Sequence, residues 1–248
     1  MKHVAIFTLT SALALAATAA LLACSSSTTV EPGEEETDGG TTAKDGSADS
    51  TPSPESGLGE LLFRPSTLYS GVDGTNTFVA PVAVYDADSD LTVTASDPSA
   101  VTITPVKLKN PEVDGIVDNG KYFFVTTKKA GTITLTASSK GRTAKSTLTI
   151  ADYASTRWAA GKARYEKAGS NADRPCTECH VNGAAIDHSP ATMSSATDQD
   201  IAVIIKNGIK PGGLPITGVP GGHKWNATDT EVDGLVTYLR ALRPNGFQ

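Results

Sequence analysis

The stretch Leu91-Thr-Val-Thr-Ala-Ser-Asp-Pro-Ser-Ala-Val-Thr-Ile-Thr-Pro-Val106 and its later counterpart KKAGTITLTASSKGRTAKSTLTI, residues 128 to 150, alternate apolar with polar residues. Successive side chains of a strand point to opposite faces, so such runs place one face against a core and the threonines and serines against water. The alternation continues in Phe78-x-Ala80-x-Val82-x-Val84, Tyr122-x-Phe124 and Leu148-x-Ile150. Turn-forming residues interrupt it at Asp86 to Asp90, Asp97-Pro98, Asp118-Asn119-Gly120, Ala130-Gly131 and Lys140-Gly141. With an opening strand near Leu61 to Leu68, residues 58 to 152 are expected to form an all-β immunoglobulin-like sandwich of about seven short strands. No cysteine lies in this stretch to bridge the sheets.

The two quoted runs are similar to bacterial immunoglobulin-like repeats of the group 2 type. That resemblance implies a spacer on a surface protein or an adhesion module. No acidic metal loop and no nucleophile beside a base is found among these residues, and a spacer or docking scaffold is the expected role.

The whole chain has 248 residues and is 39% hydrophobic, enough to bury real cores and to exclude a fully disordered protein. Its formal charge of -6 is concentrated between residues 25 and 57, where eight acids face the single base Lys44. Acids and bases balance from residue 58 onward, so the basic footprint of a nucleic-acid binder is absent and no nucleic-acid partner is expected.

Lys2 and His3 precede a nearly unbroken apolar run from Val4 to Ala23 that ends in Leu21-Leu22-Ala23-Cys24. This ending resembles the lipobox of bacterial lipoproteins, which implies a signal peptide over residues 1 to 23, lipidation of Cys24 and attachment to a membrane in the cell envelope. A permanent transmembrane anchor is the other reading of the same run. Residues 24 to 57 hold only one aliphatic side chain larger than alanine, Val30, and cannot offset their chain entropy by burial. An acidic tether is expected there, spanning on the order of 30 Å as a coil.

Residues 153 to 248 contain Cys176-Thr177-Glu178-Cys179-His180, a C-x-x-C-H of the kind that attaches c-type haem. On one helical turn two sulfurs three residues apart share a face, where each can form a thioether with a haem vinyl group while the next residue turns its imidazole to the iron. A thioredoxin-like dithiol, a zinc site built from Cys176, Cys179, His180 and His188, and a disulfide between the two cysteines are the competing readings.

The flanks resemble the class I cytochrome c family over nearly this whole segment. Trp158 to Tyr165 is similar to its first helix and Leu235 to Leu242 to its last. Thr228-Asp-Thr-Glu231 reads independently as a capping box before an amphipathic run, and Thr197-Asp-Gln-Asp200 opens a middle helix through Lys206 that Gly208 would stop. The resemblance implies an all-α domain around one covalent haem c, with His180 as proximal iron ligand and the Pro190 carbonyl as acceptor for the proximal ring N–H. The methionine that usually supplies the sixth ligand is missing from the loop between Pro211 and Ala227. His223 stands 43 residues after His180 and is the expected distal ligand, with Met193 as the alternative, while His188 reads as a solvated surface residue. Trp225, Tyr165 and Tyr238 are expected to pack around the haem, and Arg174 and Lys224 are candidate partners of its propionates.

Together these features predict a membrane-tethered monohaem protein passing single electrons between donor and acceptor proteins, an electron carrier rather than an enzyme. Two alternatives stand beside it: a haem-based catalyst or gas sensor with an open distal side, and a surface adhesion protein whose sandwich is the binding module.

Overall fold

A computed structural model describes residues 59–113, 116–169, 174–180, 188–219 and 222–248. The signal segment, the lipidation site Cys24 and the acidic tether lie outside the described residues.

Among the described residues, ten strands form two four-stranded sheets and a small hairpin. The first sheet runs β1 (Leu62–Arg64), β3 (Val79–Tyr85), β8 (Lys121–Thr127), β5 (Val101–Val106), all antiparallel. The second runs β2 (Thr67–Val72), β10 (Arg142–Asp152), β9 (Gly131–Ser139), β4 (Thr92–Ala95), with only the β2–β10 pair parallel. β6 (Glu112–Val113) and β7 (Ile116–Val117) form the hairpin. The expected single opening strand is split at Pro65, which has no N–H for a ladder, so β1 joins one sheet and β2 the other.

The sheets close on Leu68, Phe78, Ala80, Val82, Val84, Val125, Leu135, Ala137 and Leu148, all essentially without solvent contact. In β8 the inward face is the reverse of the one expected. Val125 is fully buried and Phe123 packs against the core, whereas Tyr122 and Phe124 lie on the other face. The C-terminal tail explains it: Phe247 stacks edge-on against Tyr122 and Phe124 at 5.7 and 5.0 Å, and Gln248 exchanges backbone hydrogen bonds with Lys107 beside β5. An aromatic pair covered by the chain's own end is apolar on both faces of its strand, so alternation alone misassigns its phase.

The chain turns helical after β10. α1 (Ser155–Glu166), α2 (Pro190–Met193), α3 (Asp198–Asn207) and α4 (Asp229–Arg240) share a smaller apolar cluster of Tyr165, Cys176, Ile201, Ile205, Val232, Leu235, Val236 and Leu239. The expectation of a sandwich followed by an all-α cytochrome domain is corrected here. β-sheet dominates the molecule, and its short helices are joined to the sheets by backbone and side-chain bonds. The Tyr69 N–H in β2 donates to the Ser194 carbonyl at 2.7 Å, Tyr153 Oη donates to Asp198 at 2.7 Å, and the tail extends the β5 edge. The sandwich is therefore bonded directly to the helical part.

Replacing Phe247 by alanine removes two aromatic pairs and exposes the outer face of β8. A loss of about 2 kcal/mol is expected in urea unfolding of the described chain. An unchanged midpoint would show that this face needs no cover.

Candidate functional site: an apolar pocket behind the C-x-x-C-H turn

α1 and α4 cross through glycines. A Cβ on Gly161 would stand 1.8 Å from the Gly234 carbonyl oxygen, so the two backbones touch. This contact brings Tyr165 within 5.2 Å and Trp158 within 5.6 Å of the Tyr238 ring. α3 begins at a full capping box between Thr197 and Asp200 and ends at Gly208, whose φ of 65° is the left-handed conformation a C-cap requires. A Cβ on Gly208 would sit 2.1 Å from the His223 carbonyl oxygen. Glycine there lets the His223 loop pass against the end of α3, and the Trp225 N–H then closes on the Ile205 carbonyl at 3.1 Å.

The cysteines occupy a 3-10 turn over Cys176–Glu178, in which the N–H groups of Cys179 and His180 both donate to the Cys176 carbonyl, at 3.2 and 3.1 Å. Cys176 is buried and Cys179 half-buried, and both are free thiols. Burial pushes the Cys176 thiol up to about 11, against the opposing pull of the Arg164 guanidinium. Arg164 is itself buried and donates to the carbonyls of Lys167 and Arg174 at 3.3 and 3.2 Å.

Cys176, His180, His188, Met193, His223 and Trp225 line one pocket, which Ile201, Ile204, Ile205, Leu235 and Leu239 make apolar. The rings of His180 and His223 lie 6.2 Å apart, centroid to centroid, with planes at 88°. His223 Nδ1 is 3.2 Å from the Ile204 carbonyl. A carbonyl can only accept, so Nδ1 is the donor in this contact, and in the neutral ring that leaves Nε2 as the nitrogen with the lone pair.

Most of the residues singled out in the sequence therefore converge, and His188 sits differently from expectation. His188 is not on a solvated surface: it is half-buried and stacked on His180 at 3.6 Å. Pro190 is the first residue of α2, where its carbonyl accepts the Ser194 N–H at 3.1 Å. Trp225 meets the His223 ring edge-on at 5.8 Å and carries the Arg174 guanidinium over its face at 5.8 Å. Sequence reasoning missed Arg164 and Arg240 as buried cations. For Arg240 a signal existed, because it extends the stripe Val232, Val236 by one more turn of four.

No family model matches the chain, and no curated protein matches it. Among solved structures it is similar to domains 4 and 5 of the S-layer protein SbsC, at 16% identity and a TM-score of 0.26, covering 38% of this chain and 52% of that one. It is also similar to the M1 domain from titin, at 12% identity and a TM-score of 0.25, covering 37% of this chain and 93% of that one. The chain thus spans about half the length of the SbsC structure it matches. Among the described residues no group of three or more His, Cys, Asp or Glu side chains could hold a metal ion. The expected membership of the class I cytochrome c family is corrected: no family model matches the chain, β-sheet dominates the described residues, and among them no larger cluster of metal-ligating side chains is formed. The resemblance rested on a five-residue motif and two short amphipathic helices, and helices of that pattern occur wherever an apolar stripe packs.

In polypeptide made without its export segment, Cys176 should resist iodoacetamide at pH 8, with its labelling rate rising toward pH 11 as thiolate forms. Peptide mass mapping reads this directly, and rapid labelling at neutral pH would contradict the burial.

Proposed function

We propose that the chain is a surface protein of the bacterial envelope, anchored through Cys24, whose helical part holds one haem by thioethers from Cys176 and Cys179 and passes single electrons between partner proteins. The observation that carries this reading is the pairing of His180 with His223. Two imidazoles that shared one metal ion, each about 2 Å from it, would stand with their ring centroids up to about 6 Å apart. The rings stand at 6.2 Å. A porphyrin supplies four nitrogens of its own, so the protein needs to contribute only these two and no larger side-chain cluster.

The fit extends to the surroundings. The Cys176 and Cys179 thiols are free, one turn holds both beside His180, and the pocket wall is aliphatic. The Ile204 carbonyl fixes the tautomer and ring orientation of His223, the usual service of a hydrogen-bond partner behind a ligating histidine. Bound haem supplies a reversible one-electron couple. The chain's own part would be to bind it by the sulfurs of Cys176 and Cys179, to offer His180 and His223 as its two protein ligands, and to keep water out with Ile201, Ile205, Leu235 and Leu239. Two imidazoles also favour a lower potential than an imidazole with a thioether.

A second reading, in which the sandwich is itself an adhesive module, is favoured by an open groove bordered by Leu91, Pro105, Val106, Tyr122 and Phe123, beside which Ile116 and Val117 of the hairpin stand exposed. The weak likeness to S-layer and titin domains is compatible with it but carries no weight of its own.

Expression with export and haem maturation should yield a red protein heavier than the polypeptide by one haem, and Cys176→Ser with Cys179→Ser should abolish that mass. His223→Ala should convert the low-spin spectrum to high-spin, and reduced wild type should fail to bind carbon monoxide. A colourless wild-type product refutes the haem reading. For the second reading, Val106→Asp should abolish attachment of intact cells to their surface while leaving the spectrum unchanged; attachment that persists removes it.

A further inference from the structure

α4 ends in Arg240, 2% exposed, and its guanidinium reaches across to the sandwich. Nε and Nη2 donate to Asp198 Oδ1 at 3.0 and 2.9 Å, Nη1 donates to the carbonyls of Met193 and Tyr69 at 2.9 and 3.2 Å, and Nη2 also donates to the Ala196 carbonyl. Those five bonds use every N–H of the group. Asp198 is held from its other oxygen by Tyr153 Oη at 2.7 Å, at the end of β10. The Ser194 carbonyl is taken by the Tyr69 N–H of β2. The carbonyls of residues 193, 194 and 196 are thus all fastened, the middle one from the sandwich edge and the other two by Arg240.

The fastened turn is the one that carries Met193, whose side chain lines the pocket with His180 and His223. Methionine is unbranched, adaptable and a competent iron ligand, so a loose turn there would offer the iron a thioether in competition with His223. We propose that Arg240 is a positioning residue: together with Tyr69 and the Tyr153–Asp198 bond it uses the sandwich to hold the Met193–Ala196 turn, keeping Met193 as pocket wall and selecting His223 as the second axial ligand. This rests on the haem reading above and goes beyond it by giving the β-sandwich a part in the redox site. Loosening the clamp admits Met193 to the iron in a fraction of molecules, and because thioether ligation raises the potential, the couple shifts upward.

The test uses the full exported holoprotein. Arg240→Gln should introduce the near-infrared thioether-to-ferric-iron band absent from wild type and raise the reduction potential, and the band should vanish again in Arg240→Gln with Met193→Leu. An Arg240→Gln protein whose melting temperature falls while spectrum and potential stay at wild-type values overturns the proposal, because the clamp would then serve stability alone. A band that survives Met193→Leu overturns it too. If Arg240→Gln does not fold, Tyr153→Phe, which removes a single bond to Asp198, is read in the same way. A wild type without covalent haem fails the haem reading and this inference together, whereas a low-spin wild type with an unresponsive Arg240→Gln fails this inference alone.

Discussion

A guanidinium taken fully out of water costs several kcal/mol unless each of its donors finds an acceptor. Arg240 meets that condition with acceptors from four places in the chain: Tyr69 on the sandwich, Met193 and Ala196 around α2, and Asp198 at the start of α3. None of those groups can shift far without leaving a buried charge uncompensated. The helices, the pocket and the sheet edge therefore share one geometry. Its complement is the tail, where Phe247 fills the aromatic face of β8 and Gln248 extends the edge of β5. Fastened at both places, strands and helices form a single β-dominated body.

The pocket inherits its shape from close backbone approaches. Gly161 against Gly234 sets the crossing of α1 and α4, and Gly208 against the His223 carbonyl sets the path of the loop that brings His223 opposite His180. Around them the wall is largely aliphatic, and the polar groups that remain are the Cys176 thiol, the imidazoles and the Trp225 indole. Such a site strengthens whatever electrostatic or coordinate bond is made inside it, because little water competes. The buried thiol of Cys176 shows the other side of the same environment: charge is disfavoured there until something binds.

Much of the strand plan was legible as alternation, because each face of most strands meets a single environment. Phe78, Ala80, Val82 and Val84 fall inward as the pattern demands, as do Ile133, Leu135 and Ala137. β8 escaped because the covering group, Phe247, lies more than a hundred residues later in the chain. His188 escaped for a related reason: its solvent exposure depends on His180 and Tyr165, which stack against it from other segments at 3.6 and 5.9 Å. The helix caps at Thr197 and Thr228 were readable because a capping box closes within four residues.

What the sequence determined by itself is the set of interactions whose partners are near in the chain: strand periodicity, helix starts and stops, and the adjacency of Cys176, Cys179 and His180 on one turn. Tertiary structure alone decided that the helices are fastened to the sandwich, that His223 faces His180 with its tautomer set by Ile204, and that Arg240 binds the Met193 turn to β2. The physical reason is separation. Periodicity and capping reflect the local backbone, whereas a buried cation or a shared pocket depends on which distant carbonyls and rings the folded chain brings within about 3 Å or ring-contact distance.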